Sequence, residues 1–282
     1  MYEIFAHGSA IHLVMEPMAR SLADVISAHS SRFPEQVLKG YMAGILHGLG
    51  HLHSIGILHR DMKPSNVLIG LQGQVKLGDF GLARVLAKPE IGFSYQAATR
   101  WYRAPEMLFG ARIYGPAVDM WGAGCIFAEL MALSPLFPGE TDIDQLHRIY
   151  CISGTPDVWI DGWPEARDMA DFHKISFSPM PAGSLEALLT QHSRGAARLV
   201  AAMLRVPPSQ RISALAALQD AWFTKTPFPA APVHLKGSEL ATPGGRSSHT
   251  LSHLRSGSGA ADAHCWHVDR NAWQEALAAL SS

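Results

Sequence analysis

Cysteine is scarce in this sequence: Cys125, Cys151 and Cys265 are the only three in 282 residues. Few, far apart and odd in number, they make neither a disulfide framework nor a metal-ligand spacing, and a reducing, intracellular setting suits them best. Excess charge of either sign is also lacking. The formal net charge is -1, with acidic and basic residues interleaved, so no polybasic tract offers itself to nucleic acid or to an anionic membrane surface. No stretch reaches the roughly 18 consecutive apolar residues of a membrane span. The N-terminal MYEIFAHGSAIHLVMEP has no basic region followed by a long apolar run, which argues against a signal peptide. No internal repeat is evident. What is abundant is apolar side chain, at 48% of residues, enough for the packed core of one large domain or two small ones in a soluble globular protein.

Along the chain, Tyr2 to Phe5 and Ile11 to Met15 are short β-type runs around His-Gly-Ser, the pattern of a hairpin. Pro34 sits where a first helical turn accepts it, and Val37, Leu38, Tyr41, Ile45, Leu49 and Leu52 recur at helical spacing up to Gly56. Val67–Ile69 and Val75–Leu77 read as two further strands, and from Pro105 helical patterns alternate with Pro/Gly breaks. The expected fold class is α+β, mainly α. From about Lys225 the composition shifts to Pro, Gly, Ser and Ala, through GSELATPGGRSSHTLSHLRSGSG, which is too poor in apolar residues to pack. A weak helical pattern returns over Val268 to Leu280. The expected divisions are 1–18, 19–224 and a flexible tail over 225–282.

The chemically informative residues are His59-Arg60-Asp61-Met62-Lys63-Pro64-Ser65-Asn66, then Asp79-Phe80-Gly81, then Ala104-Pro105-Glu106. Phosphoryl transfer leaves a protein little covalent chemistry to do, so catalysis consists mostly of placing a hydroxyl and neutralising charge on the transferring phosphate. Asp61 is suited to accept the hydroxyl proton and Lys63 to meet the γ-phosphate. Asn66 and Asp79 offer the oxygen ligands that magnesium, a hard cation, prefers. Each residue also has a plainer role available: an exposed ion pair for Asp61, core packing for His59 and Phe80. For His59 and Phe80 the packing role is favoured, and for Asp61, Lys63, Asn66 and Asp79 the chemical one.

In order and spacing these three motifs match the catalytic loop, magnesium motif and activation-segment end of protein kinases, and the chain resembles that family. The resemblance implies a kinase-like large lobe, with 1–18 as a remnant of the small lobe and hinge. It also implies ATP and Mg2+ as cofactors and a protein Ser/Thr acceptor, the latter from Lys63, which follows the serine/threonine branch. It assigns Met15, Glu16 and Met18 to the hinge, Leu68 to the floor beneath adenine, and Thr99 to the catalytic residues. Asp119, and the pair Arg211–Glu106, become scaffold residues. Thr99-Arg100-Trp101-Tyr102-Arg103 and the later SPLFPGETDIDQLHRIYCISGTP resemble the cyclin-dependent and mitogen-activated group. Residues 3–224 look most like the cell cycle-related branch of the cyclin-dependent kinases. That branch implies a cyclin or other activator as partner, a location in cytoplasm, nucleus or cilium, and an activation-loop phosphosite at Ser94 facing Arg60 and Arg84.

No glycine-rich phosphate loop, strand lysine or partner glutamate precedes the hinge, and Lys39 and Lys76 fall on a helix and a strand of the large lobe. The chain as it stands is therefore expected to be a truncated, inactive kinase. Two other functions compete: a non-catalytic, pseudokinase-like scaffold, favoured by the missing loop, and a small-molecule phosphotransferase, which would share the Asp/Asn loop but not the WYRAPE stretch.

Overall fold

The computed structural model describes residues 2–8, 10–86, 99–156, 162–183, 185, 189 and 193–229. Among the described residues, β structure is slight and lies within the first 85 positions. Strands β1 (Glu3–His7) and β2 (Ala10–Val14) form an antiparallel hairpin in the register Glu3↔Val14. The strands sit one or two positions away from the runs expected from sequence, because Gly8, at φ +61°, takes the turn. Strand β3 (Arg20–Ser21), β5 (Val67–Ile69) and β6 (Val75–Leu77) make a three-stranded ribbon, and β4 (Ile57–Leu58) pairs with β7 (Arg84–Val85).

Helix α1 (Leu22–Ala28) begins on a capping box between Ser21 and Asp24. Helix α2 (Glu35–Ser54) follows. Pro34 is its N-cap residue rather than a member of its first turn, and Gly56, at φ +72°, lies just beyond its end. On α2, Gly44 permits a close approach of β6: a Cβ there would lie 2.5 Å from Cβ of Val75. After the short α3 (Pro105–Leu108) comes α4 (Ala117–Ala132), in which every residue from Val118 to Met131 is buried. A helix buried on every side belongs at the centre of a domain, and α4 packs against α2 and α6 (Arg194–Met203). Helix α5 (Asp142–Ser153) is capped by Thr141, and two short helices, Ala214–Leu218 and Ala221–Thr224, close the described domain. No described helix is long and apolar enough to cross a membrane. The terminal pattern at Val268 to Leu280 lies outside the described residues.

Candidate active site

Helix α4 is the platform of the site. Gly122 lets it come up directly beneath the loop after β4, since a Cβ at that position would fall 2.7 Å from Cβ of Met62. One turn earlier, buried Asp119 holds the loop by its backbone: Oδ2 accepts from the His59 N–H at 2.9 Å and Oδ1 from the Arg60 N–H at 2.7 Å. The His53 ring, near the end of α2, meets Oδ2 at 2.9 Å. These bonds keep Arg60 at φ +70°, a left-handed conformation that costs a non-glycine residue of order 1–3 kcal/mol and must be over-determined by its surroundings. Burial alone would raise the Asp119 pKa, but the His53 hydrogen bond, the neighbouring His53 and His59 rings and the Arg60 amide outweigh it and hold the carboxyl below its ordinary value.

The turn delivers Asp61, Lys63 and Asn66 to one place. Lys63 Nζ donates to Asp61 Oδ2 at 2.6 Å, and Asn66 Nδ2 donates to the same oxygen at 2.9 Å and to the Asp61 carbonyl at 2.8 Å. Both side-chain bonds land on Oδ2, which leaves Oδ1 of Asp61 for a further partner. With its amide hydrogens spent on Asp61, Asn66 has its amide oxygen left to act as a ligand. The backbone of the next motif is tied to this loop: the Gly78 N–H donates to the Asn66 carbonyl at 2.8 Å, and the His59 ring meets the Gly78 carbonyl at 2.9 Å. Asp79 is the second left-handed residue, at φ +58°, with Oδ1 accepting from the Gly81 N–H at 3.2 Å. His59 is fully buried and its ring lies 5.0 Å from that of Phe80, tilted by 53°, so both pack as internal anchors. Among the described residues no three His, Cys, Asp or Glu side chains converge as a self-sufficient metal cage. The donor set of Asn66 and Asp79, one amide oxygen and one carboxylate, suits instead a magnesium ion that keeps phosphate and water among its ligands.

Met15, Glu16 and Met18 lie half-buried after β2, and Leu68 sits on β5 opposite Lys76. Sequence reasoning treated Glu16 and Lys76 separately, but their side chains form an ion pair, and Gln74 Nε2 donates to Glu16 Oε1 at 3.4 Å. The segment after the hairpin is thereby fastened to β6. Lys39, on α2, points away from this pair into contacts with the C-terminal end of the domain.

Thr99 is exposed and caps the 3-10 turn Arg100–Tyr102. Ser94 lies outside the described residues, and of its expected partners Arg84 is exposed while Arg60 is buried with its guanidinium 5.5 Å from the Tyr114 ring. Burial first, and then the charge of Arg84, press the Arg60 pKa down, so the two cations are close enough to feel each other. The Arg103 side chain is buried, 3.6 Å from Asp142, which also takes Arg100 Nε at 2.8 Å. Trp101 Nε1 donates to the Gly139 carbonyl at 3.1 Å, and Gln145 bridges Gly139 and Trp101. Beneath them the Tyr102 hydroxyl donates to Glu129 at 2.7 Å, and burial followed by the Glu129 charge drives the tyrosine pKa far up. Arg211 grips Glu106 with two bonds, at 2.6 and 2.7 Å, both side chains being buried.

A family model described as protein kinase domain matches residues 1–223. The chain belongs to the protein kinase family. Rat Cyclin-dependent kinase 20 is 43% identical over 271 residues, covering 95% of this chain and 75% of the relative. Arabidopsis thaliana Cyclin-dependent kinase D-1 is 43% identical over 235 residues, covering 83% and 58%. The fold is shared with the CAK complex from Chaetomium thermophilum bound to ATP-gamma-S, at a TM-score of 0.75 and 34% identity over 81% of this chain and 72% of that one. It is shared equally with the yeast RNA Pol II CTD kinase CTDK-1 complex, at a TM-score of 0.76 and 32% identity over 82% and 77%. The kinase is therefore a serine/threonine protein kinase of the cyclin-dependent type.

Proposed function

We propose that this kinase transfers the γ-phosphoryl group of ATP to a serine or threonine hydroxyl through Asp61, Lys63, Asn66 and Asp79. The observation that carries it is the single-sided anchoring of Asp61. With Oδ2 held by Lys63 and Asn66, Oδ1 stands ready for the acceptor hydroxyl, and the carboxylate is aimed without being neutralised by a second cation. Lys63 is placed to serve both Asp61 and a phosphate oxygen. A magnesium ion held by Asn66 and Asp79 would neutralise phosphate charge. The backbone of Glu16 to Met18 would face adenine above Leu68, with Thr99 at the rim. The CAK relative, solved with ATP-gamma-S, supports ATP as the donor, and the two complexes among the structural relatives support an activating partner such as a cyclin. Ser94, with Arg60 and Arg84, remains our proposed activation phosphosite.

The sequence contains no Gly-x-Gly-x-x-Gly loop, and a single hairpin precedes the proposed hinge. A polypeptide of these 282 residues alone is expected to phosphorylate a serine-proline peptide far below the roughly 1–100 per second of active kinases. Rates in that range from the purified chain would refute both this expectation and our proposal that the hairpin is a small-lobe remnant. Joining the chain to a segment that carries a glycine-rich loop and its lysine is expected to produce turnover on serine and threonine peptides. Failure of a well-folded fusion bound to its activator would count against Asp61 and its neighbours as the catalytic set.

Acceptor choice is expected to favour proline directly after the phosphorylated residue. Arg103 is locked under the activation-segment end by Asp142 and fixes the backbone there, a setting that suits a residue without an amide hydrogen. A peptide array scored with the fused enzyme checks it: indifference at that position would remove the pocket.

A further inference from the structure

Lys39 is among the most completely buried side chains of the domain, 1% exposed, although it is a lysine in the second turn of a helix. Lysine is almost never fully buried unless its charge is met. Here it is met by backbone from the far end of the domain: Nζ donates to the Lys225 carbonyl at 2.8 Å and to the Pro227 carbonyl at 2.7 Å, and lies 5.4 Å from the centre of the Trp222 ring. One turn earlier on the same face of α2, Glu35 accepts from Ser193 Oγ at 2.9 Å and from the Trp222 indole N–H. Positions four apart on a helix are neighbours, so Glu35 and Lys39 act side by side, with Trp222 between them.

We propose that Lys39, flanked by the Glu35–Trp222 contact, clamps Lys225–Pro227 as a strap of the catalytic domain rather than the first residues of a tail. The family match ends at 223, yet both acceptors of the buried ammonium lie beyond it, Lys225 at the change in composition and Pro227 past it. Lys225 and Pro227 are thereby held beside the first turns of α2, the helix whose other end carries the His53 contact to Asp119. The strap is intrinsic to the chain and does not depend on the assignment of catalytic residues.

Limited trypsin digestion of the full chain under native conditions tests the clamp, because Lys225 is itself a cleavage site and is exposed. Lys174, exposed and paired with Asp171 three residues away, is the internal reference. With Lys39→Met, cleavage after Lys225 is expected to accelerate about 10-fold while cleavage after Lys174 stays unchanged, the signature of local release without global unfolding. Lys39→Gln, which keeps a donor but removes the charge, is expected to give an intermediate acceleration. It decides the question in the same way should the methionine variant fail to fold. An unchanged rate at Lys225, or an equal rise at both sites, would overturn the clamp.

Discussion

Asp119→Ala is expected to destabilise the kinase by about 3–5 kcal/mol at pH 7, the range for removing one member of a buried, mutually satisfied group. The carboxylate is 1% exposed and meets the His59 N–H, the Arg60 N–H and the His53 ring. Deleting it strands those groups away from water and frees Arg60 to leave its left-handed conformation. Asp119→Asn keeps the volume but retains only one acceptor atom, so its loss should be smaller. The pH dependence has a definite sign. The folded-state pKa of Asp119 lies below its ordinary value, so its contribution is fully present above the unfolded pKa of about 3.9 and disappears as pH falls through the folded value. The gap between wild type and Asp119→Ala in urea denaturation should therefore be full at pH 7 and narrow only below about pH 4. A gap that stays constant to pH 3, or one below about 1 kcal/mol at pH 7, would show that the loop is held by something other than this carboxylate.

What sequence alone could supply divides along a physical line. That Asp61, Lys63 and Asn66 come together was legible because they share a loop of a few residues, where spacing in sequence is close to spacing in space. Helix α2 was legible from its apolar period, and its ends were misplaced by one or two residues because Pro34 and Gly56 flank the helix without joining it. Contacts between distant segments left no such trace. Glu16 with Lys76, Lys39 with Lys225 and Pro227, and Tyr102 with Glu129 are each ordinary surface-type residues in sequence, and only the fold makes them partners. A lysine on an otherwise periodic helix reads as a solvated position. That Lys39 is buried follows from where the chain returns after Trp222, which no local pattern records. The glycines of α2 and α4 had a similar fate, since Gly122 is needed only because Met62 lies against it.

The roles proposed for the carboxylates of Asp61 and Asp79 separate cleanly in kinetics. Asp61→Asn is expected to lower kcat by about 10²–10⁴-fold, the range for loss of a positioned general base, while leaving nucleotide affinity nearly unchanged. The isosteric amide preserves the contour of the loop, and Asn66 and the Asp61 carbonyl retain their bond, so the hydroxyl loses its proton acceptor without the nucleotide losing a contact. Asp79→Asn acts elsewhere. Its carboxylate is held at a left-handed turn by the Gly81 N–H and supplies the anionic oxygen of the proposed magnesium pair with Asn66, so substitution should weaken binding of the magnesium nucleotide as well as turnover. The comparison requires measurable turnover and is made on the chain fused to a segment bearing a glycine-rich loop, with nucleotide affinity measured directly by titration. Lys63→Met gives a third point: it removes the 2.6 Å partner of Asp61 and the phosphate-facing cation together, and should fall in kcat more than in affinity. Equal losses of nucleotide affinity in Asp61→Asn and Asp79→Asn would mean that both carboxylates serve the metal, and that the oxygen left open on Asp61 is not where the acceptor hydroxyl binds.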